Sequence, residues 1–233
     1  MTISVVQYNS VAFNGSLSAT PSLTGVGSGH ALILLNSHVD LGGGTPTFTY
    51  FTSGVTWTQD SAANSTGGAC GASIASTLNV GGGSYSASVT ANSGTAANSE
   101  GTATLVEVSG LFTSSALDQQ VAVGGNSTTP ATGNTSALAQ QSEIIFAIMT
   151  FGSSFTGLTF PPTGGPGTYT QIAHSGATYT DQNYQIDSSS TAAVSATWGT
   201  AGASGKWAVA LATYKGAVSA GIIPVGMMMG VGA

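Results

Sequence analysis

The side chains able to do acid–base or metal chemistry in this chain are few enough to take together. They are Asp40, Asp60, Glu100, Glu107, Asp118, Glu143, Asp181 and Asp187, with His30, His38, His174 and the lone Cys70. Cleavage of a glycosidic bond needs two carboxyl groups facing each other across the sugar linkage. A close pair on one strand, as E-x-D or E-x-x-x-E, would announce them, and the sequence has neither. Glu107 and Glu143, beside apolar runs, are the only carboxylate candidates, and no spacing joins them. His30 and His38 are an even number of residues apart and can share a strand face. An extended chain separates them by roughly 26 Å, too far for one metal ion. Serine is abundant, but no G-x-S-x-G elbow marks a nucleophile. Cys70 lies in GGACG with no histidine or cation nearby to favour a thiolate, and reads as a small buried hydrophobe. The segment 181–187, DQNYQID, offers Asp181, Asn183 and Asp187 as oxygen ligands. It lacks the alternation and terminal bidentate Glu of a calcium loop. Asp and Asn also favour turns through their own side-chain hydrogen bonds, so it reads as a turn. The expectation is no catalytic residues, no cofactor and no metal: not an enzyme.

Composition excludes further classes. Only 4% of residues are charged, against roughly a quarter in ordinary soluble domains, while 41% are hydrophobic and 34 of 233 are glycine. A disordered chain would be less hydrophobic and more charged. Two lysines, no arginine and a net charge of −6 leave nothing to neutralise phosphates, so nucleic acid is not an expected partner. Nor is a membrane: the longest apolar runs, ALILL and IIFAIM, fall far short of the ~20 residues a spanning helix needs. The opening MTISVVQYNSVAFNG has no basic segment followed by an apolar run and does not read as a signal peptide.

The elements that would position these residues are strands. KWAVALATYKGA, 206–217, alternates without a break: Trp207, Val209, Leu211 and Thr213 on one side, Ala208, Ala210, Ala212 and Tyr214 on the other. The large side is expected to face a core and the alanine side to admit a close neighbour. Lys206 and Lys215 at its ends would discourage edge pairing. HALILLNSHVD, the β-branched TFTYFTSGVTWTQ, and TATLVEVSGL read as further strands, and ASIASTLNVGGGSYSASVTA reads as two strands joined in a hairpin at Gly81–Gly83. Residues 112–142 are polar and turn-rich, with SALAQQSE at 136–143 the best candidate for a short helix. From Ser142 the order begins again. SEIIFAIMTFG stands where HALILLNSHV stood, GTYTQIAHSG where GVTWTQDSA stood, YQIDSSSTAAVSATW where ASTLNVGGGSYSASVTA stood, and GKWAVALATYKGA where EGTATLVEVSGLF stood. The offset is about 105 to 113 residues. The sequence therefore predicts an all-β, jelly-roll-like antiparallel β-sandwich of about eight strands, made of two duplicated four-strand units. An N-terminal arm or edge strand (1–29), the sandwich (30–217) and an apolar tail (218–233) complete the organisation.

The apolar strand, the Thr-Trp-Thr strand, the Gly/Ser-rich alternation, Glu107-Val108-Ser109-Gly110 and the closing Trp207-Ala208…Tyr214-Lys215 together resemble a sandwich domain of tailed-phage structural proteins and bacterial surface proteins. The resemblance covers about residues 30–217. It implies a non-enzymatic structural or adhesive module. In the virion, assembled in the host cytoplasm, it implies a capsid decoration (cement) protein bound to the major capsid protein and to its own copies. A tail or fibre module that binds a surface glycan is the alternative, with Trp57, Tyr85, Tyr169, Tyr179, Tyr184 and Trp198 as candidate exposed aromatics. The tail, VSAGIIPVGMMMGVGA, lies outside the resemblance and carries no charge. Its Ile222, Ile223, Val225, Met227, Met228, Met229 and Val231 are the expected subunit interface, since Met adapts to irregular apolar surfaces.

Overall fold

The computed structural model describes residues 2–152, 156–175, 179–202 and 204–217. Among them are fifteen strands: β1 (Ser4–Ala12), β2 (Ser18–Ala19), β3 (Ser22–Val26), β4 (Ala31–Asp40), β5 (Thr47–Phe51), β6 (Thr58–Asn64), β7 (Cys70–Thr77), β8 (Gly83–Ser86), β9 (Ser88–Asn92), β10 (Ser99–Ser109), β11 (Leu117–Ser127), β12 (Glu143–Phe151), β13 (Thr170–Ser175), β14 (Thr180–Asp187) and β15 (Gly205–Lys215). Two five-stranded antiparallel sheets form the sandwich, in the orders β1-β10-β4-β7-β6 and β11-β15-β12-β14-β13. The expected all-β antiparallel sandwich is the observed architecture, with ten strands in its principal sheets rather than eight.

These two orders are the same order. In each half the first strand lies at one edge, the last strand lies beside it, and the second sits at the centre. The duplicated unit thus has five strands, not four: β1, expected as an arm or edge strand outside the unit, belongs to it, and β11 is the member the sequence left unassigned. Each half completes its own sheet, and the chain crosses between the principal sheets once, through residues 110–116. β11 and β15 lie over β6, β15 over β7, and β12 and β14 over β4, so the second sheet runs across the first in reversed order. That is the arrangement of a two-fold axis along the strands. At the closed end the halves join: Phe112 N donates to Lys215 O at 3.1 Å and Ala217 N to Gly110 O at 2.7 Å.

Three apolar clusters occupy the spaces between four layers. The central one, between the sheets, holds Ile33, Leu35, Ile74, Val106, Ile144, Phe146 and Ile148 against Ala208, Ala210, Ala212 and Tyr214. A second lies on the outer face of the first sheet, where Leu32, Leu34 and Leu105 meet a cover made of β2-β9-β5 and β3-β8. A third lies on the outer face of the second sheet, where Ile145, Met149, Val209 and Leu211 meet Leu138, Tyr169 and Trp198 from irregular segments. Both faces of β4, β12 and most of β15 are therefore buried. This explains why ALILL and IIFAIM are continuous apolar runs rather than alternating ones. The alanine face of β15 is the one that meets the other sheet, and its large face meets the cover.

Several local expectations are corrected. β15 lies between β11 and β12, so its lysines do not guard an edge. No hairpin joins β7 to the strand after Gly81–Gly83: the chain leaves the sheet there, and β8 pairs with β3 while β9 pairs with β2 and β5. SALAQQSE has no helix. The polar stretch after Leu117 is β11, whose glycines serve close approach. A Cβ on Gly124 would collide with the carbonyl of Asn64, the last residue of β6, and one on Gly125 with the Trp207 ring. The repeat alignment also slips locally. Setting His30 on Ser142 puts Leu34 on Phe146, yet Leu34 packs outward and Phe146 inward. The ladders place Leu34 with Ala147, because Leu34 pairs Ala75 as Ala147 pairs Asn183. A one-residue slip reverses every face.

Candidate functional site

The charged side chains are where the sandwich departs from a plain apolar core. Glu107 projects from β10 onto the outer face and is fully buried. It accepts hydrogen bonds from the Gly27 N–H (2.8 Å) and the Gln7 amide (2.7 Å), and pairs with His30 Nδ1 at 2.5 Å. Burial alone would raise its pKa, but these three partners and the imidazole charge together hold it below the usual carboxylate value. One carboxylate thereby ties an edge strand, the GVGSG turn and the start of β4 to β10. The pairing spans 77 residues, and nothing in the sequence announced it.

Asp181 plays the matching part in the second half. Its Oδ1 accepts from Gln171 Nε2 (2.8 Å) and lies 3.4 Å from His174 Nδ1. Its Oδ2 accepts from Asn183 Nδ2 (2.6 Å) and from the indole of Trp198 (2.7 Å). Burial raises its pKa, partly opposed by those donors and by His174. DQNYQID is thus a strand and not a turn. Asp181, Asn183 and Asp187 alternate along one face, with the two acids roughly 20 Å apart, too far to share an ion.

The remaining groups are dispersed. Glu143 is buried beside Thr213 and Asp118; burial first, then the neighbouring Asp118 carboxyl, raise its pKa to about 7. Glu107 and Glu143 lie on the outer faces of different sheets, so the structure does not assemble them into a catalytic pair. His38 shares the outer face with His30, as their spacing allows, and sits edge-on between Phe13 and Phe48 without a hydrogen bond. Burial pushes its pKa down to about 4 against the opposing charge of Asp40. Cys70 is buried, its thiol raised by burial to about 12. Among the described residues no three acidic, histidine or cysteine side chains are placed to hold a metal ion.

The aromatic face expected for glycans is not formed. Tyr169 and Trp198 are buried in the outer core of the second sheet, Trp57 and Tyr85 pack against that of the first, and Tyr184 and Tyr179 pack against the central one. Ile222, Ile223, Val225, Met227, Met228, Met229 and Val231 lie outside the described residues.

Asp60 stands apart. It is the extra residue of a bulge in β6, between Gln59 and Ser61, and its Oδ2 accepts the Tyr214 hydroxyl at 2.6 Å. Burial raises its pKa, with Ser76 and Tyr214 partly offsetting the shift. It borders a groove of about 450 Å³ between the ends of β6 and β7 and the crossover segment Thr113–Leu117. A second groove of about 460 Å³, bordered by His30, Ser109, Phe112 and Ala217, opens at the seam where the halves join. Both grooves flank the crossover segment. The chain itself has no match among family models, curated proteins or solved structures.

Proposed function

We propose that this chain is a non-enzymatic structural protein of a virion, acting as a capsid decoration (cement) protein that stabilises a phage head through apolar subunit contacts. Its partners are then the major capsid protein and other copies of itself. One observation carries this reading. Ala217 is hydrogen-bonded into the seam between the halves, and the next sixteen residues in sequence carry no charge and eight valine, isoleucine and methionine side chains. The sandwich thereby fixes the point at which the apolar sequence begins. The internal use of Glu107 and Asp181 supports the same reading, since both carboxylates are committed to holding layers together. Burial of a Met- or Ile-sized side chain contributes roughly 1.5–3 kcal/mol before ordering costs. Several together can hold a subunit after those costs are subtracted.

The test combines location and attachment. Immunogold labelling of source particles with an antibody to the sandwich should mark the head. Full-length protein should remain on particles at about 1 M NaCl, where the Debye length is ~3 Å. Protein truncated after Ala217 should fold and fail to attach. Unlabelled particles, or attachment by the truncated protein equal to that of the full chain, would overturn the proposal. A glycan-binding appendage is the second reading, favoured by the hydroxyl-lined groove at Asp60.

A further inference from the structure

The duplication allows a residue-by-residue comparison at the Asp60 groove. Thr56-Trp57-Thr58-Gln59-Asp60-Ser61 corresponds to Thr168-Tyr169-Thr170-Gln171-Ile172-Ala173. The ladders agree: Gln59 and Ser61 pair Ala75 and Ile74 around the bulged Asp60, as Gln171 and Ala173 pair Asn183 and Gln182 around the bulged Ile172. One residue further along the neighbouring strands, Ser76 corresponds to Tyr184. In the second unit Ile172 and Tyr184 pack against the central core, and Tyr184 lies 6.4 Å from the Phe146 ring. The first unit has a carboxylate and a hydroxyl at the same two places, and a groove beside them.

The bulge does not require an acid, because its sister is built with isoleucine. Partial burial of a carboxyl group is costly unless it is well paired, and the raised pKa of Asp60 records that cost. Bulges re-aim side chains and recur beside binding sites. What Asp60 and Ser76 provide is a polar floor, and the walls continue it with the hydroxyls of Thr58, Thr113 and Ser115 beside the apolar Leu117. The groove has no cationic side chain, which disfavours anions. With a single carboxylate it offers too few charged ligands for a divalent cation. Many neutral donors and acceptors, one fixed acceptor and an apolar wall match a polyhydroxylated ring, and the volume falls within the usual range for small-ligand pockets.

We propose that the groove floored by Asp60 and Ser76 beneath the crossover segment binds a neutral saccharide unit, with the Asp60 carboxylate accepting hydrogen bonds from sugar hydroxyls. Tyr214 holds that carboxylate in place from behind. The inference stands apart from particle attachment: sugar binding can fail while attachment persists, and the reverse.

The experiment titrates full-length protein with glucose, galactose, mannose, N-acetylglucosamine and cellobiose, read by saturation-transfer NMR, with methylammonium chloride as a cationic control. Saturable binding of at least one sugar is expected at about 0.1–10 mM, the range of a single weak site. Asp60→Ile, which installs the sister residue, should weaken it at least tenfold while the protein stays folded by circular dichroism. Thr58→Trp, at an exposed position on the groove wall, should do the same by occlusion and decides the matter should Asp60→Ile not fold. Absence of saturable binding by every sugar overturns the proposal. So does equal affinity in the folded variants, or binding of methylammonium alone, which would assign the groove to an ammonium group.

Discussion

The two halves of the sandwich share strand order and bulge positions, yet over the equivalent strands β7 and β14 each fixes its outer cover with different chemistry. Over β7 the anchor is neutral, the first half's carboxylate, Glu107, lying away from it on β10 with Gln7, Gly27 and His30. Tyr50, from the cover strand β5, hydrogen-bonds Ser73 on β7 and donates to Gln59 on β6 at 3.1 Å. In the second half the anchor is a carboxylate: Asp181, on the equivalent strand β14, accepts the indole N–H of Trp198 from the cover. The first cover is hydrogen-bonded in two small sheets and largely satisfies its own backbone. The second is irregular, with isolated bridges joining Thr197 to Ala131 and Thr163, and its largest buried ring needs a directed partner. An ordered layer can be held by packing and neutral bonds. An irregular one requires a strong, directional acceptor.

That contrast breaks most sharply at Asp181. Asp181→Ala leaves the Trp198 and Asn183 donors buried without an acceptor, while exposed Gln171 can turn to water, and should cost about 3–5 kcal/mol, read as a shift in the urea midpoint. A loss below that of Tyr50→Phe would end the distinction between the two anchors.

Glu107→Gln comes next, with about 2 kcal/mol lost at pH 7 because charge-assisted bonds become neutral ones. Since the folded state lowers this pKa, its stabilisation is present above the unfolded value near 4.3. It disappears as pH falls through the folded pKa. The gap between wild type and Glu107→Gln should therefore close on acidification, and a gap that persists at pH 2 would contradict the assignment.

Glu143 runs the other way. Its folded pKa is raised to about 7, so its contribution is complete below the unfolded value near 4.3 and is lost as pH rises through 7. Glu143→Gln should match wild type near pH 4 and exceed it at pH 8 by about 1–2 kcal/mol, measured by thermal unfolding at both pH values. Equal stability at pH 8 would place the Glu143 carboxylate in water.

The smallest effect belongs to Tyr50→Phe. Removing one neutral hydroxyl that Ser73 and Gln59 can partly do without should cost about 1 kcal/mol, read by the same urea titration. A loss approaching that of Asp181→Ala would show that the regular cover depends equally on its polar anchor.

Much of the architecture was legible because its signals are local. β4, β10, β12 and β15 could be read from apolar content and period, and the repeated block order exposed the duplication although no single block match was close. The pair TWTQDSA and TYTQIAHS aligns even through its bulge, since both keep an aromatic between two threonines. β11 was missed because a half-buried edge strand has little apolar signal, and its paired glycines resemble a turn. Their purpose, close passage over Asn64 and Trp207, exists only once the sheets are stacked. DQNYQID misled for the same reason, since polar alternation on a strand makes sense only when a buried acid has Trp198 to receive.

Sequence alone determined the class: few charges, alternating and continuous apolar runs, glycine-rich turns and a doubled order leave an all-β sandwich as the consistent fold. Tertiary structure decided which carboxylates matter and how. Glu107 with His30, Asp181 with Trp198 and Asp60 with Tyr214 are joined across 77, 17 and 154 residues. Hydrogen bonds depend on separation in space, and a strand's periodicity specifies a face without naming what the face will meet.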